Sequence, residues 1–282
     1  MTNARKSKHG ILLTIVLSVI SVLYMFPIVL VVINSFKKKA YISRAPFEIP
    51  TGKAFVGFEN YINGIEKIDF FRVVFNSVFI TVGSVVVIII CTSMCAWYIT
   101  RVNNKFCKAL YYLFVFSMVV PFQMVMFTLS KTSDMLGLNT PWGIIVVYLG
   151  FGAGLAVFMF CGFVKSIPLE IEEAAMIDGC NPLQTFFMIV LPILKPTCIS
   201  VSILQAMWIW NDYLLPTLVL NVKEGYITIP MAIQLISNGS YGSKEMGIMM
   251  AMLVMAILPI IIFYLICQKH IIEGVVAGAV KG

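Results

Sequence analysis

Apolar residues in this chain gather into six long runs, at 11–33, 73–99, 109–129, 143–164, 197–220 and 246–267, with polar or mixed stretches between them. A hydrocarbon core about 30 Å thick is crossed by roughly 20 helical residues rising about 1.5 Å each. Every run is long enough. Strands of a membrane barrel would be shorter and would alternate between two faces, which these runs do not do. Lipid offers a backbone no hydrogen-bond partner, so each run is predicted to be a helix. The expected fold is an all-α integral membrane protein with six transmembrane helices.

The first run follows Arg5, Lys6 and Lys8, as a secretory signal would. A signal's apolar stretch spans about 7–15 residues and ends in a small-residue cleavage site. Here a run of 23 residues leads on to Asn34 and Lys37, and a retained helix is expected.

Composition agrees with lipid as the solvent. The 282 residues are 60% hydrophobic and 12% charged, with a mean hydropathy of +0.96. Soluble domains carry about 25% charge. The net charge of +7 comes from basic residues between the runs, where membrane proteins place them, and no nucleic-acid partner is expected. The seven cysteines lie in or beside apolar runs without a CxxC pair. They read as packing residues, not as metal ligands or a disulfide framework.

Several classes are disfavoured. The runs hold no charged residue before Asp212, whereas ion-coupled transporters keep such groups near the midplane. No GxxxxGK[ST] loop, HExxH or GxSxG occurs, and no metal-spaced histidine cluster. The chain is expected to be non-catalytic, without a cofactor of its own, and driven by a partner.

Six spans put both termini on one side. With the amino terminus inside, the 20 Lys and Arg fall evenly on the two sides, so the positive-inside rule does not decide orientation. Much of the outer charge lies in 36–72. Within it, 55–72 is rich in Phe, Tyr and Ile and reads either as an interfacial amphipathic helix or as a packed external loop. At this level the chain divides into 1–72, a five-helix core at 73–267, and a tail at 268–282.

The connection 165–196 is long for a helix–helix link. Pro168 suits a helix start, and Glu170, Glu172 and Glu173 match the positive end of a helix dipole. Gly179 can adopt the left-handed conformation that ends a helix. Asn181, Pro182 and Gln184 are spaced as a cap, a first helical position and a capping-box partner. Pro192 and Pro196 break the second helix before the fifth run. Ala174 and Ala175 offer almost no side chain, so another surface can approach the backbone. The segment reads as a rigid acidic knob.

That knob resembles the EAA loop of bacterial ABC importer permeases: Glu-Ala-Ala, three residues, Gly, nine residues, Ile-x-Leu-Pro. It falls here on Glu173, Ala174, Ala175, Gly179, Ile189, Leu191 and Pro192. The resemblance extends along most of the chain to carbohydrate permeases of the maltose type. It covers Asn76-Ser77, Pro121-Phe122-Gln123, Gly137-Leu138-Asn139-Thr140, Ile167-Pro168, Ile177-Asp178-Gly179, Trp210-Asn211-Asp212-Tyr213 and the tail 277–282. Cys180 departs from the usual small Ala after the glycine. The tail is similar to that of the shorter subunit of a permease pair.

The resemblance implies a type I ABC importer fold in a bacterial cell membrane, with the loop and both termini cytosolic. Glu172, Glu173, Ala174, Ala175, Asp178, Gly179, Ile189, Leu191 and Pro192 would couple to an ATPase. The implied partners are a second homologous permease, two ATPase subunits that bind ATP and Mg, an extracellular or periplasmic solute-binding protein, and a sugar or oligosaccharide. Sugars offer hydroxyls to hydrogen-bond and CH faces to stack, so Asn76, Gln123, Trp208, Trp210, Asn211 and Asp212 are substrate candidates; helix–helix hydrogen bonding is the alternative. The outer loop 221–244 reads either as a binding-protein contact or as a connector. Competing readings are a permease of the same superfamily for a non-sugar solute, a secondary transporter and a membrane-embedded enzyme.

Overall fold

In a computed structural model, residues 8–240 and 245–279 are described. Arg5, Lys6, Gly242, Lys244 and the last three tail positions lie outside them. Among the described residues the only regular structure besides helix is one isolated antiparallel bridge, Lys37 to Phe55. The α-helices are α1 Lys8–Ser35, α2 Lys39–Arg44, α3 Glu59–Lys67, α4 Phe70–Val102, α5 Lys105–Ser117, α6 Phe122–Met135, α7 Pro141–Val164, α8 Leu169–Ile177, α9 Pro182–Thr185, α10 Leu191–Ile193, α11 Lys195–Asn211, α12 Leu214–Val219, α13 Ile229–Asn238 and α14 Met246–Ala279. Four helices are long and apolar enough to cross a membrane, and six spans result if each of two bent pairs counts as one.

Two of the expected straight helices are broken. The run 109–129 becomes α5 and α6, bent by 104°. The bend lies just before Pro121, which has no N–H for the helix ladder and disfavours helical geometry in the residue ahead of it. The run 197–220 is divided after Asn211, where Asp212 is extended at φ −73°, ψ 124°. Its carboxylate accepts from the backbone N–H of Leu214 (2.9 Å) and Leu215 (3.3 Å), which starts α12.

The chain forms two compact units. One comprises the described residues up to Phe70 with 233–259. Residues 10–29 of α1 are all exposed, as suits a helix whose solvent is lipid. Order begins at its end. Asn60 Nδ2 donates to the Ser35 and Lys37 carbonyls (2.7 and 3.0 Å), and Ser35 Oγ meets the Tyr61 hydroxyl at 2.6 Å. Lys37 is fully buried and donates to Ala45 O (2.8 Å); that burial lowers its ammonium pKa, against the opposing pull of Glu48. The segment after α1 is therefore a knitted layer of short helices, with Phe36, Phe58 and Tyr61 clustered in it.

The other unit comprises 71–232 with the chain from 260. Its centre is α7, the span with most of its surface covered. Small residues permit this. A Cβ on Gly152 would stand 2.6 Å from Ile88 Cδ1 and 2.9 Å from Gln205 Oε1, and one on Gly154 would stand 2.8 Å from the Phe114 carbonyl. Helices in lipid gain little from hydrophobic burial against one another, so close backbone approach at small residues provides the packing. Tyr148, Val157, Phe160 and Val164 fill the core beside Ile88, Ala96 and Val201.

Candidate functional site

The segment after α7 is built from helix-ending and helix-starting signals. Pro168 caps α8 in extended geometry, and Glu170 and Glu172 lie in its first turn. Gly179 takes φ +90°. The Cys180 N–H then reaches the Ala175 carbonyl (3.0 Å) and the Gly179 N–H reaches Met176 O (3.1 Å), closing a Schellman motif. Asn181 and Gln184 complete a reciprocal capping box at 2.9 Å each way, as their spacing predicts. A π-helical turn, Phe186–Val190, follows. The wider turn relieves the clash that Pro192 would otherwise make with the carbonyl four residues before it. The chain bends 75° into α11.

One side of α8 is fastened down. Glu172 is 3% exposed, and its carboxylate accepts from Arg101 Nη2 (2.6 Å), Arg101 Nε (3.0 Å) and Trp97 Nε1 (2.9 Å). Arg101 Nη2 also donates to Ile167 O (3.0 Å). Trp97 packs its ring against the buried Phe186, with centroids 5.5 Å apart. The end of α4 thus grips both arms of the knob.

The other side is open. Glu173, Ala174, Asp178 and Gly179 are exposed, and so is Pro192; Ala175 turns inward with Glu172; Ile189 and Leu191 are half-buried. Sequence reasoning missed the apolar part of this face. Ile177 is 85% exposed, with Met176 and Leu183 also uncovered. A bulky side chain at a tip that no part of its own chain covers was visible only as the Ile before Asp178.

The substrate candidates do not form one cluster. Asn76 is buried and donates to the carbonyls of Gly225 (3.3 Å) and Ile227 (3.2 Å), which it ties to the start of α4. Gln123 is exposed in the first turn of α6, and Trp210 is half-buried. Trp208 and Asp212 are brought together by Tyr148, which sets its ring edge-on to Trp208 (5.5 Å) and donates to Asp212 Oδ2 (3.1 Å). Asn211 Nδ2 turns back to Met207 O (2.7 Å). Leu204, Met207, Trp208 and Asn211 share an exposed stripe of α11. Among the interior polar residues not singled out from sequence are Tyr148, and Gln205, which donates to Gly152 O (3.2 Å).

Taken together, helices of spanning length, two bent pairs and a fastened surface knob between two of the helices define a multi-pass membrane transport subunit. Residues 88–276 match the family of binding-protein-dependent transport system inner membrane components, and the chain belongs to that family of ABC importer permeases. It is 38% identical to the "Probable starch degradation products transport system permease protein AmyC" of Thermoanaerobacterium thermosulfurigenes over 96% of each chain. It is 34% identical to the multiple sugar-binding transport system permease protein MsmG of Streptococcus mutans over 95% of each. Its fold matches a chain in the crystal structure of a bacterial ABC transporter involved in the import of the acidic polysaccharide alginate. There the TM-score is 0.76 at 22% identity, covering 95% of this chain and 99% of that one. A chain from the alginate transporter in complex with its alginate pentasaccharide-bound periplasmic protein matches with a TM-score of 0.65 at 15% identity, over 91% and 93%.

Proposed function

We propose that this chain is one permease of an importer for a sugar or oligosaccharide, and that α8 and its turn dock on a separate ATPase. The observation that carries this reading is the agreement between spacing and shape. The seven signature positions from Glu173 to Pro192 lie on a knob whose base is fastened by Arg101 and Trp97 and whose tip is closed by a Schellman turn. A partner cleft can grip Glu173, Ala174, Ile177 and Asp178 without unfolding anything. Force applied there passes through Glu172 to α4 as a rigid body.

On this reading 165–196 and both termini face the cytosol, and the tail 268–282 lies with them. ATP and Mg belong to the two ATPase subunits. A second permease completes the pathway, and a binding protein delivers solute from outside. The sugar assignment is supported by relatives named for sugar and oligosaccharide transport and by the Trp208–Asn211 stripe, where an aromatic face and an amide stand side by side.

The test is purification of the tagged chain in mild detergent, with sugars screened for stimulation of ATPase activity. An ATPase and a second permease should co-purify with wild type, and Ile177→Asp should lose the ATPase while keeping the permease. Retention of the ATPase by Ile177→Asp together with Glu173→Lys would refute the docking assignment. Stimulation by peptides or phosphate alone would refute the sugar assignment.

A further inference from the structure

A cleft of about 420 Å³ opens where the end of α4, the start of α5 and the end of α7 meet, lined by Asn103, Lys108, Tyr111, Tyr112 and Lys165. Its charged lining is entirely basic. Lys165 stands 5.8 Å over the Tyr111 ring, and neither Lys165 nor Lys108 has an ion-pair partner among the described residues. Arg101 nearby is already matched by Glu172.

The first turn of α5 holds Lys105 and Lys108 and no acid, and a neutral Asn104 caps it. Positive charge at a helix amino terminus opposes the dipole and is unfavourable unless an anion offsets it. Phe106, Ala109, Leu113 and Phe116 form an exposed stripe at three- and four-residue spacing along the same helix. Tyr112, which lines the cleft, stands between Lys108 and that stripe around the helix, so the stripe lies beside the cleft.

We propose that this cleft binds the phosphate of an anionic phospholipid headgroup, with the acyl chains laid along the α5 stripe. Lys108 and Lys165 supply the charge, the tyrosine hydroxyls offer donors at headgroup depth, and the stripe selects a lipid over a free anion. The assignment rests on the membrane class of the chain and not on which solute it carries.

The experiment is native mass spectrometry of the full chain, released in mild detergent from membranes of equal phosphatidylglycerol and phosphatidylethanolamine. Wild type should retain phosphatidylglycerol preferentially. A basic residue near an anionic surface is worth about fivefold in affinity, so Lys108→Gln should cut the preference about fivefold and Lys108→Gln with Lys165→Gln about 25-fold. Paired Lys→Arg changes should keep it, and Lys195→Gln, exposed at the start of α11, should leave it unchanged. If the double variant does not insert, the single exposed Lys108→Gln carries the test alone. An unchanged lipid preference in these variants would overturn the proposal. So would lysine-dependent binding of inorganic phosphate without any lysine-dependent lipid preference.

Discussion

Truncation of Glu172 should loosen the knob without touching its outer face. In Glu172→Ala, Arg101 loses two bonds and its counter-charge, and the Trp97 indole N–H loses its acceptor. Breaking a buried ion pair costs about 3–5 kcal/mol, because the stranded partner stays desolvated. Arg101 is 20% exposed and keeps its bond to Ile167 O, so water and that carbonyl recover part of the loss. A cost near the low end, about 3 kcal/mol, is expected, with each charge-assisted bond contributing about 1.5–3 kcal/mol before that recovery. Hydrogen exchange across 168–180 reads this directly. Local opening should become about 150-fold more frequent, since about 1.4 kcal/mol is tenfold. Glu172→Gln keeps one acceptor oxygen, enough for Arg101 or for Trp97 but not for both, and loses the charge, so its effect should be smaller than that of Glu172→Ala without vanishing. Glu173→Gln is the control: that side chain is exposed and its removal should leave protection unchanged. Unaltered exchange in Glu172→Ala, or equal loosening by Glu173→Gln, would refute the latch.

Gly179→Val should cost about 1–2 kcal/mol through its left-handed backbone alone, because open space surrounds the added Cβ. Gly179→Asn should cost less, and a thermal unfolding series compares them. Asn181→Ala removes one half of the capping box and should cost about 1 kcal/mol, read as faster exchange of the Gln184 amide. Gly152→Ala should destabilise by about 1–3 kcal/mol through overpacking on Ile88 and Gln205, and Gln205→Ala in the same chain should relieve part of that in a double-mutant cycle. The ion pair of Lys67 with Glu245, at 24% and 31% exposure, should contribute under about 1 kcal/mol, so Lys67→Met should leave the midpoint of thermal unfolding nearly unchanged.

What the sequence disclosed and what it withheld divide along the range of the forces involved. Four of the apolar runs, the Gly179 turn and the Asn181–Gln184 box are local, since each is decided by residues within a turn or two, and each is found where the spacing puts it. The bend at Pro121 is local as well, but the length of the apolar run outweighed a single proline in the reading of 109–129. Glu172 could not be separated from Glu170 and Glu173 by pattern, because its partner Arg101 is 71 residues away and looked like one more basic residue in a turn. Asn76 and Asp212 show the same effect from the other side. Polar residues inside spans invite a solute, yet here Asn76 holds a backbone segment and Asp212 caps a helix and meets Tyr148. In lipid an unpaired polar group is costly, so a structural partner claims most such residues before any solute does. The groups left for a solute are therefore those whose polar or aromatic surface stays uncovered, and towards the end of α11 these include Trp208 and Asn211. Asn211→Ala and Trp208→Ala should each weaken apparent uptake affinity, whereas Asp212→Ala should lower stability first.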